Sequence, residues 1–182
     1  MQNTDMSEKG FQKYITKYLV ETIKYIETFS NDFDRELCLD KTQLFEFIKN
    51  RQPESYDFII KKGEKAFLDR LDSKIKTEGI IEVLRKGLKH LDRTVYFFYP
   101  QPNSDLNPKD KIKYEANIFS VTQELVCTDT NKNRIDLVIF INGLPIITME
   151  LKNAYTNQAV TKVINPDLPA GKARCEDERQ RC

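Results

Sequence analysis

Apolar side chains recur at helical spacing through the first half of the chain and crowd into short unbroken runs in the second. In SEKGFQKYITKYLVETIKYIET, residues 7–28, Phe11, Ile15, Tyr18, Leu19, Thr22 and Ile26 fall near a 3.6-residue period, and Ser7 stands where an N-cap belongs. The pattern predicts a helix packed against a sheet. A second start signal lies in DFDRELCLDKTQLFEFIKNR. There Asp40 precedes Leu44, Phe45, Phe47 and Ile48, which predicts a helix over about 41–50, with Pro53 stopping it or opening the next. Phe58, Ile59, Phe67, Leu68, Leu71 and Ile75 carry the helical period through 54–90. Gly79 interrupts it, and IIEVLRKGLKHL reads as a short helix or turn.

Near Thr94 the character changes. TVYFFYP is β-branched and aromatic and predicts a strand closed by Pro100, with the aromatic side chains in the core. QPNSDLNPKD is a loop by composition, and PKDKIK at 108–113 reads as solvated loop sooner than as a phosphate contact. KYEANIFSVTQELVC, residues 113–127, predicts a second strand or strand pair, and TDTNKN a turn. RIDLVIFINGLPIITMELKN, residues 134–153, is two apolar runs joined by Asn142-Gly143, a hairpin signal. Neither run alternates, which predicts cover on both faces of the sheet and an α/β or α+β domain. TNQAVTKVI at 156–164 predicts a helix capped by Thr156. The tail, 165–182, has no period and reads as disordered or foreign to the domain.

Composition narrows the classes. The chain has 182 residues, enough for one domain with a helical extension. Its 29 basic and 28 acidic residues nearly cancel, so attraction to nucleic acid must come from a local patch. No apolar run approaches the roughly 18 residues of a membrane span. The N-terminus, MQNTDMSEKG, lacks the apolar core of a signal peptide, so a cytoplasmic protein with reduced thiols is expected. Cys38, Cys127, Cys175 and Cys182 are far apart and His90 is the sole histidine, which argues against zinc.

The hairpin carries the candidate chemistry: Asp136 near the start of one run, Glu150 and Lys152 at the end of the other. Glu150 and Lys152 project to one side of a strand. With a plain two-residue turn at Asn142-Gly143, Asp136 would pair with Met149 and Glu150 would face the other way. A three-residue loop, Ile141-Asn142-Gly143, would set Asp136 opposite Thr148 and Arg134 opposite Glu150. That loop, or a bulge, puts all three charges on one face. Two carboxylates so placed repel unless a proton or cation lies between them. Oxygen ligands favour Mg²⁺, and a nearby lysine can orient a water or neutralise charge on a phosphate. The plainer reading is a solvated strand end. Against it stands the cost of unpaired charge beside otherwise buried strands.

RIDLVIFINGLPIITMELKN resembles the nuclease core of the R (restriction and translocation) subunit of type I restriction enzymes, which carry D-L-V-x-F-x-N-G-L-P-x-x-x-x-E-L-K-N. SEKGFQKYI, DFDRELCLDKTQLFEFI, GIIEVLRKGLK and YEANIFSVTQEL resemble other blocks of the same family, over roughly residues 7–164. The resemblance implies a PD-(D/E)XK fold: an α/β restriction-endonuclease-like core with a mixed central sheet flanked by helices, preceded by a helical region. It implies a nuclease domain over 1–164, with a helical part at about 7–90 and a sheet-bearing core at about 94–164 joined by the first helix. It further implies that Asp136, Glu150 and the backbone carbonyl of Leu151 hold Mg²⁺ and that Lys152 is the catalytic lysine. An acid on the first helix sometimes assists in this fold. Glu8 is the candidate, against the plainer reading of a surface glutamate. Arg134 and Asn153 could touch DNA phosphate or form salt bridges.

Partners implied are double-stranded DNA and the methyltransferase and specificity subunits, with no membrane. ATP is expected only for the full-length subunit, because this chain has no G-x(4)-G-K-[ST] loop and so lacks the translocation motor. The family's Gln-x-x-x-Tyr after Glu-x-Lys is also missing, and the resemblance ends at NPDLPAG. A catalytically idle module that docks other subunits is the alternative expectation.

Overall fold

The computed structural model describes residues 7–104, 107–127 and 134–152. The helix expected at 156–164, the tail, the TDTNKN turn and Asn153 lie outside those residues.

Ser7 caps α1 (Glu8–Lys17), its hydroxyl accepting the Gly10 N–H at 3.1 Å. The helix is shorter than its apolar period predicts. A π-helical turn (Tyr18–Thr22) follows it, and Ile26 opens a strand, β1 (Ile26–Thr28). The buried side chains of α1 are Gln12 and Thr16, while Phe11, Tyr14 and Tyr18 are 51%, 62% and 50% exposed. The helix packs against the sheet, as expected, with this polar pair as its buried side chains and Ile15 and Leu19 half-buried. Gln12 reaches the backbone of the third hairpin residue, and this bond sets the face the helix presents.

Asp40 caps α2 (Lys41–Arg51) by accepting the Gln43 N–H at 3.0 Å, as predicted. Pro53 opens α3 (Pro53–Lys62). Gly63 and Gly79, both at positive φ, separate it from α4 (Glu64–Glu78) and α4 from α5 (Ile80–Lys86). The end of this region is not helical: β2 (Leu88–His90) pairs antiparallel with β3 (Arg93–Val95) in a small ladder of its own. The aromatic run from Tyr96 belongs to no ladder. Its Phe97 is fully buried, whereas Tyr96 is exposed. The expected loop at PKDKIK is helical, α6 (Pro108–Glu115). Asn107 caps it by accepting the Lys109 N–H, and Pro108 fills the first position, where a missing N–H costs nothing.

The main sheet holds four strands in the order β1-β4-β5-β6, with β4 (Phe119–Val126), β5 (Arg134–Ile141) and β6 (Leu144–Met149). β1 runs parallel to β4 and the other pairs are antiparallel, so the sheet is mixed. Helices flank it. β5 is buried at successive positions, but β6 is an edge among the described residues, and its Ile147 is 43% exposed. Two apolar clusters result. One joins α2, α4, α5 and the small ladder through Leu44, Phe47, Phe67, Leu71, Val83 and Val95, and it includes Leu144 from the hairpin tip. The other lies on the sheet around Phe33, Leu125, Val138 and Phe140. Among the described residues, no helix is long and apolar enough to cross a membrane.

The hairpin tip is buried, which is unusual for a turn. Asn142 is 0% exposed; its Oδ1 accepts the Ile118 N–H at 2.6 Å, and its Nδ2 donates to the Phe97 carbonyl at 2.7 Å and to Asn117 Oδ1 at 3.0 Å. The Gly143 carbonyl accepts the Asp40 N–H at 2.8 Å, and a Cβ on Gly143 would lie 2.3 Å from the Asp40 oxygen. Glycine is thus required both by φ and by space.

His90 is also buried. Phe67 and Phe58 meet its ring edge-on at 5.3 and 6.2 Å, and neither ring nitrogen has a hydrogen-bond partner among the described residues. Burial, helped by Arg70, holds its pKa below the ordinary value of 6.5. The folded chain therefore binds fewer protons there than the unfolded chain does. Stability is complete above the unfolded value and is lost as pH falls through it toward the folded pKa.

Two outcomes follow from these buried groups. Asn142→Ala should cost roughly 3–5 kcal/mol in chemical denaturation, because it strands buried backbone groups as well as removing bonds. His90→Phe should flatten the fall in the urea midpoint between about pH 7 and pH 5 that the native chain shows.

Candidate active site on the β5–β6 hairpin

The facing of the hairpin's charges depends on how the turn is built. Ile141 pairs with Leu144, so the loop is the two-residue Asn142-Gly143, with φ of 51° and 82°. These left-handed values match the twist of the strands, and Asn and Gly are the residues that tolerate them. The three-residue loop is therefore not adopted, and with it fall the expected Asp136–Thr148 and Arg134–Glu150 pairings. A bulge takes its place. Phe140 pairs with Pro145 and Ile139 with Ile147, leaving Ile146 as the extra residue. Beyond it Val138 pairs with Thr148 and Leu137 with Met149. The next step along both strands sets Asp136 opposite Glu150, and opposed residues project to the same side.

The end of the hairpin is tied back to the aspartate. Asp136 Oδ2 accepts the Leu151 N–H at 2.5 Å, a short charge-assisted bond that spans the two strands. Asp136 and Leu151 are half-buried, and Glu150 and Lys152 are exposed. The Glu150 pKa is raised, first by the partial burial of its carboxyl and then by the negative charge of Asp136. Lys152 opposes the rise and Glu124 adds to it. Glu150 therefore feels the negative charge of Asp136, and a cation beside both would relieve that repulsion.

Two neighbours gave no sequence signal. Glu124 occupies the β4 position that would pair with Asp136, and it is the one place between Phe119 and Val126 where the β4–β5 register lapses. Its φ is 50°, a left-handed value that a non-glycine residue adopts only when held there. Its carboxylate lies 3.5 Å from Arg134 Nη1, so Arg134 takes the salt-bridge alternative. The other neighbour is Gln12, whose Nε2 donates to the Asp136 carbonyl at 2.7 Å. Glu8 is exposed in the first turn of α1, and the α1 side chain that touches Asp136 is Gln12. An i, i+4 stripe of Gln12 and Thr16 could have pointed to this face, but the larger apolar stripe masked it.

Among the described residues, no group of three or more His, Cys, Asp and Glu side chains gathers to hold a metal ion. What the hairpin offers is two carboxylates and the main chain between Glu150 and Lys152. That donor set fits Mg²⁺, which binds through one or two carboxylates and keeps several waters.

A family model described as Type I restriction enzyme R protein N terminus matches residues 12–167. Searches of curated proteins and of solved structures gave no match.

Deleting Ile146 would remove the bulge yet keep Ile147 opposite Ile139, and so keep Glu150 on the side of Asp136. The deletion should preserve any divalent-cation binding measured by calorimetry, whereas an alanine inserted between Thr148 and Met149, which slides Met149 opposite Asp136 and turns Glu150 to the other face, should abolish it while leaving far-UV circular dichroism close to native.

Proposed function

The chain belongs to the family of type I restriction enzyme R protein N termini, and from that premise we propose that residues 1–164 are a Mg²⁺-dependent DNA endonuclease domain, with a PD-(D/E)XK core formed by about 94–164 and the first helix. It would hydrolyse phosphodiester bonds of double-stranded DNA as part of a type I site-specific deoxyribonuclease. The observation that supports this reading is the Ile146 bulge with Leu137 opposite Met149 beyond it; the next step along both strands would bring Asp136 opposite Glu150, with Lys152 two residues on. Asp136, Glu150 and the Leu151 carbonyl would hold Mg²⁺. When bound, the ion supplies Lewis acidity at the scissile phosphate. Lys152 orients the attacking water and neutralises charge that grows on the phosphate. The Leu151 N–H holds the Asp136 carboxylate across the hairpin end.

A partner specificity subunit, alongside a methyltransferase subunit, would supply sequence recognition, and ATP-driven translocation would reside in the full-length subunit. The chain's near-zero net charge agrees with a nuclease that is delivered to DNA by partners.

The test is nicking of supercoiled plasmid in Mg²⁺. Asp136→Ala and Lys152→Ala should each lower the rate by about 100-fold or more. Cleavage by both variants at the native rate would exclude this mechanism. A folded native chain that binds the partner subunits but cuts at no Mg²⁺ concentration would favour the idle docking module.

A further inference from the structure

We infer that Gln12 is a positioning residue for this site: its side-chain amide holds the Asp136 main chain, and through it the aspartate carboxylate, in place for a divalent cation. The inference rests on the nuclease reading above for the identity of the cation's role, but its geometry stands alone. Gln12 is 5% exposed, and its Nε2 lies 2.7 Å from the Asp136 carbonyl. That carbonyl belongs to the residue where the β4–β5 register lapses, opposite Glu124 with its φ of 50°. Ladder support is thus weakest at the residue whose position matters most, and a side chain from another element substitutes for it. The connection continues outward. The same Asp136 carries the Leu151 N–H on its Oδ2, so α1, β5 and the chain after β6 are linked in series through one residue.

The side-chain type fits this role. An amide donates to a carbonyl at any ordinary pH. A glutamate there would set acceptor against acceptor and bring a further negative charge beside Asp136. On the same helix Gln12 faces inward while Phe11, Tyr14 and Tyr18 stay exposed. A purely structural role, satisfying one buried carbonyl, would affect folding alone. A positioning role must also affect the cation.

The experiment compares the native chain, Gln12→Met and Thr16→Val. Methionine keeps the length and removes the donor. Thr16 is one turn along the same buried face, and its hydroxyl has no hydrogen-bond partner among the described residues, so valine serves as the packing control. Three quantities are read: Ca²⁺ affinity by calorimetry, amide exchange at Leu151, and the Mg²⁺ dependence of nicking. Gln12→Met should weaken Ca²⁺ binding about tenfold, as loss of a supporting hydrogen bond does at metal sites. It should lower Tm modestly, speed Leu151 exchange by more than that loss of stability accounts for, and raise the Mg²⁺ needed for half-maximal nicking while saturating Mg²⁺ restores most of the rate. Thr16→Val should match the native chain in all three. Native Ca²⁺ affinity and native Leu151 protection in Gln12→Met would overturn the inference, as would changes no larger than those of Thr16→Val. If the native chain does not nick but the first two readouts shift as expected, the nuclease reading falls and the positioning role stands. If the native chain nicks and Gln12→Met is indistinguishable from it, the positioning role alone falls.

Discussion

A buried side-chain amide must be satisfied, and Asn142 is satisfied only where three distant segments converge. Its two side-chain atoms bond the main chain at Ile118 and Phe97 and the side chain of Asn117. Asn117 in turn bonds the main chain at Tyr99 and Tyr114. Each partner would be a stranded polar group without it, at a cost of a few kcal/mol in a protein of ordinary stability. The tip of the hairpin is therefore the fixed point of the fold. Gly143 extends it to the start of α2, where the Asp40 main chain approaches too closely for any side chain. From this anchor β5 and β6 run outward, and everything at their far end inherits its position from residue counts along the two strands.

Counting along those strands explains how much of the site was legible. The residue types and their crowding at one hairpin end could be read directly, and so could the turn, since Asn-Gly tolerates left-handed backbone. Whether the acids share a face could not, because it depends on one extra residue. Pro145, Ile146 and Ile147 are all apolar, so no pattern marks Ile146 as the bulge. The supporting contacts were hidden for a different reason. Gln12 and Glu124 act through main-chain geometry, the one by bonding a carbonyl and the other by an unusual φ, and neither leaves a periodic trace.

The fold divides similarly. Caps at Ser7 and Asp40 and the breaks at Gly79 and Pro53 were visible because each has a local cause. β1 was not, because three residues in a parallel pairing derive their structure from β4, some ninety positions later. The small β2–β3 ladder was read as part of a helix and a longer strand, and α6 was missed because its capping asparagine and first-turn proline look like loop composition. On α1 apolar periodicity marks the half-buried Ile15 and Leu19 but not Gln12, which is buried because it bonds the hairpin main chain.

Leu144 has a consequence for how the chain reaches this state. It belongs to the apolar cluster of the helical half, yet it is separated from Leu44 by about a hundred residues. The helices, emerging first from the ribosome, would have every local signal they need but an unfilled gap at their centre until the hairpin arrives. Closure over so long a loop is entropically slow. The helical core thus lacks one of its fully buried side chains until the hairpin packs, and its completion coincides with delivery of the acidic hairpin. Assembly of the site and completion of the helical core become a single event.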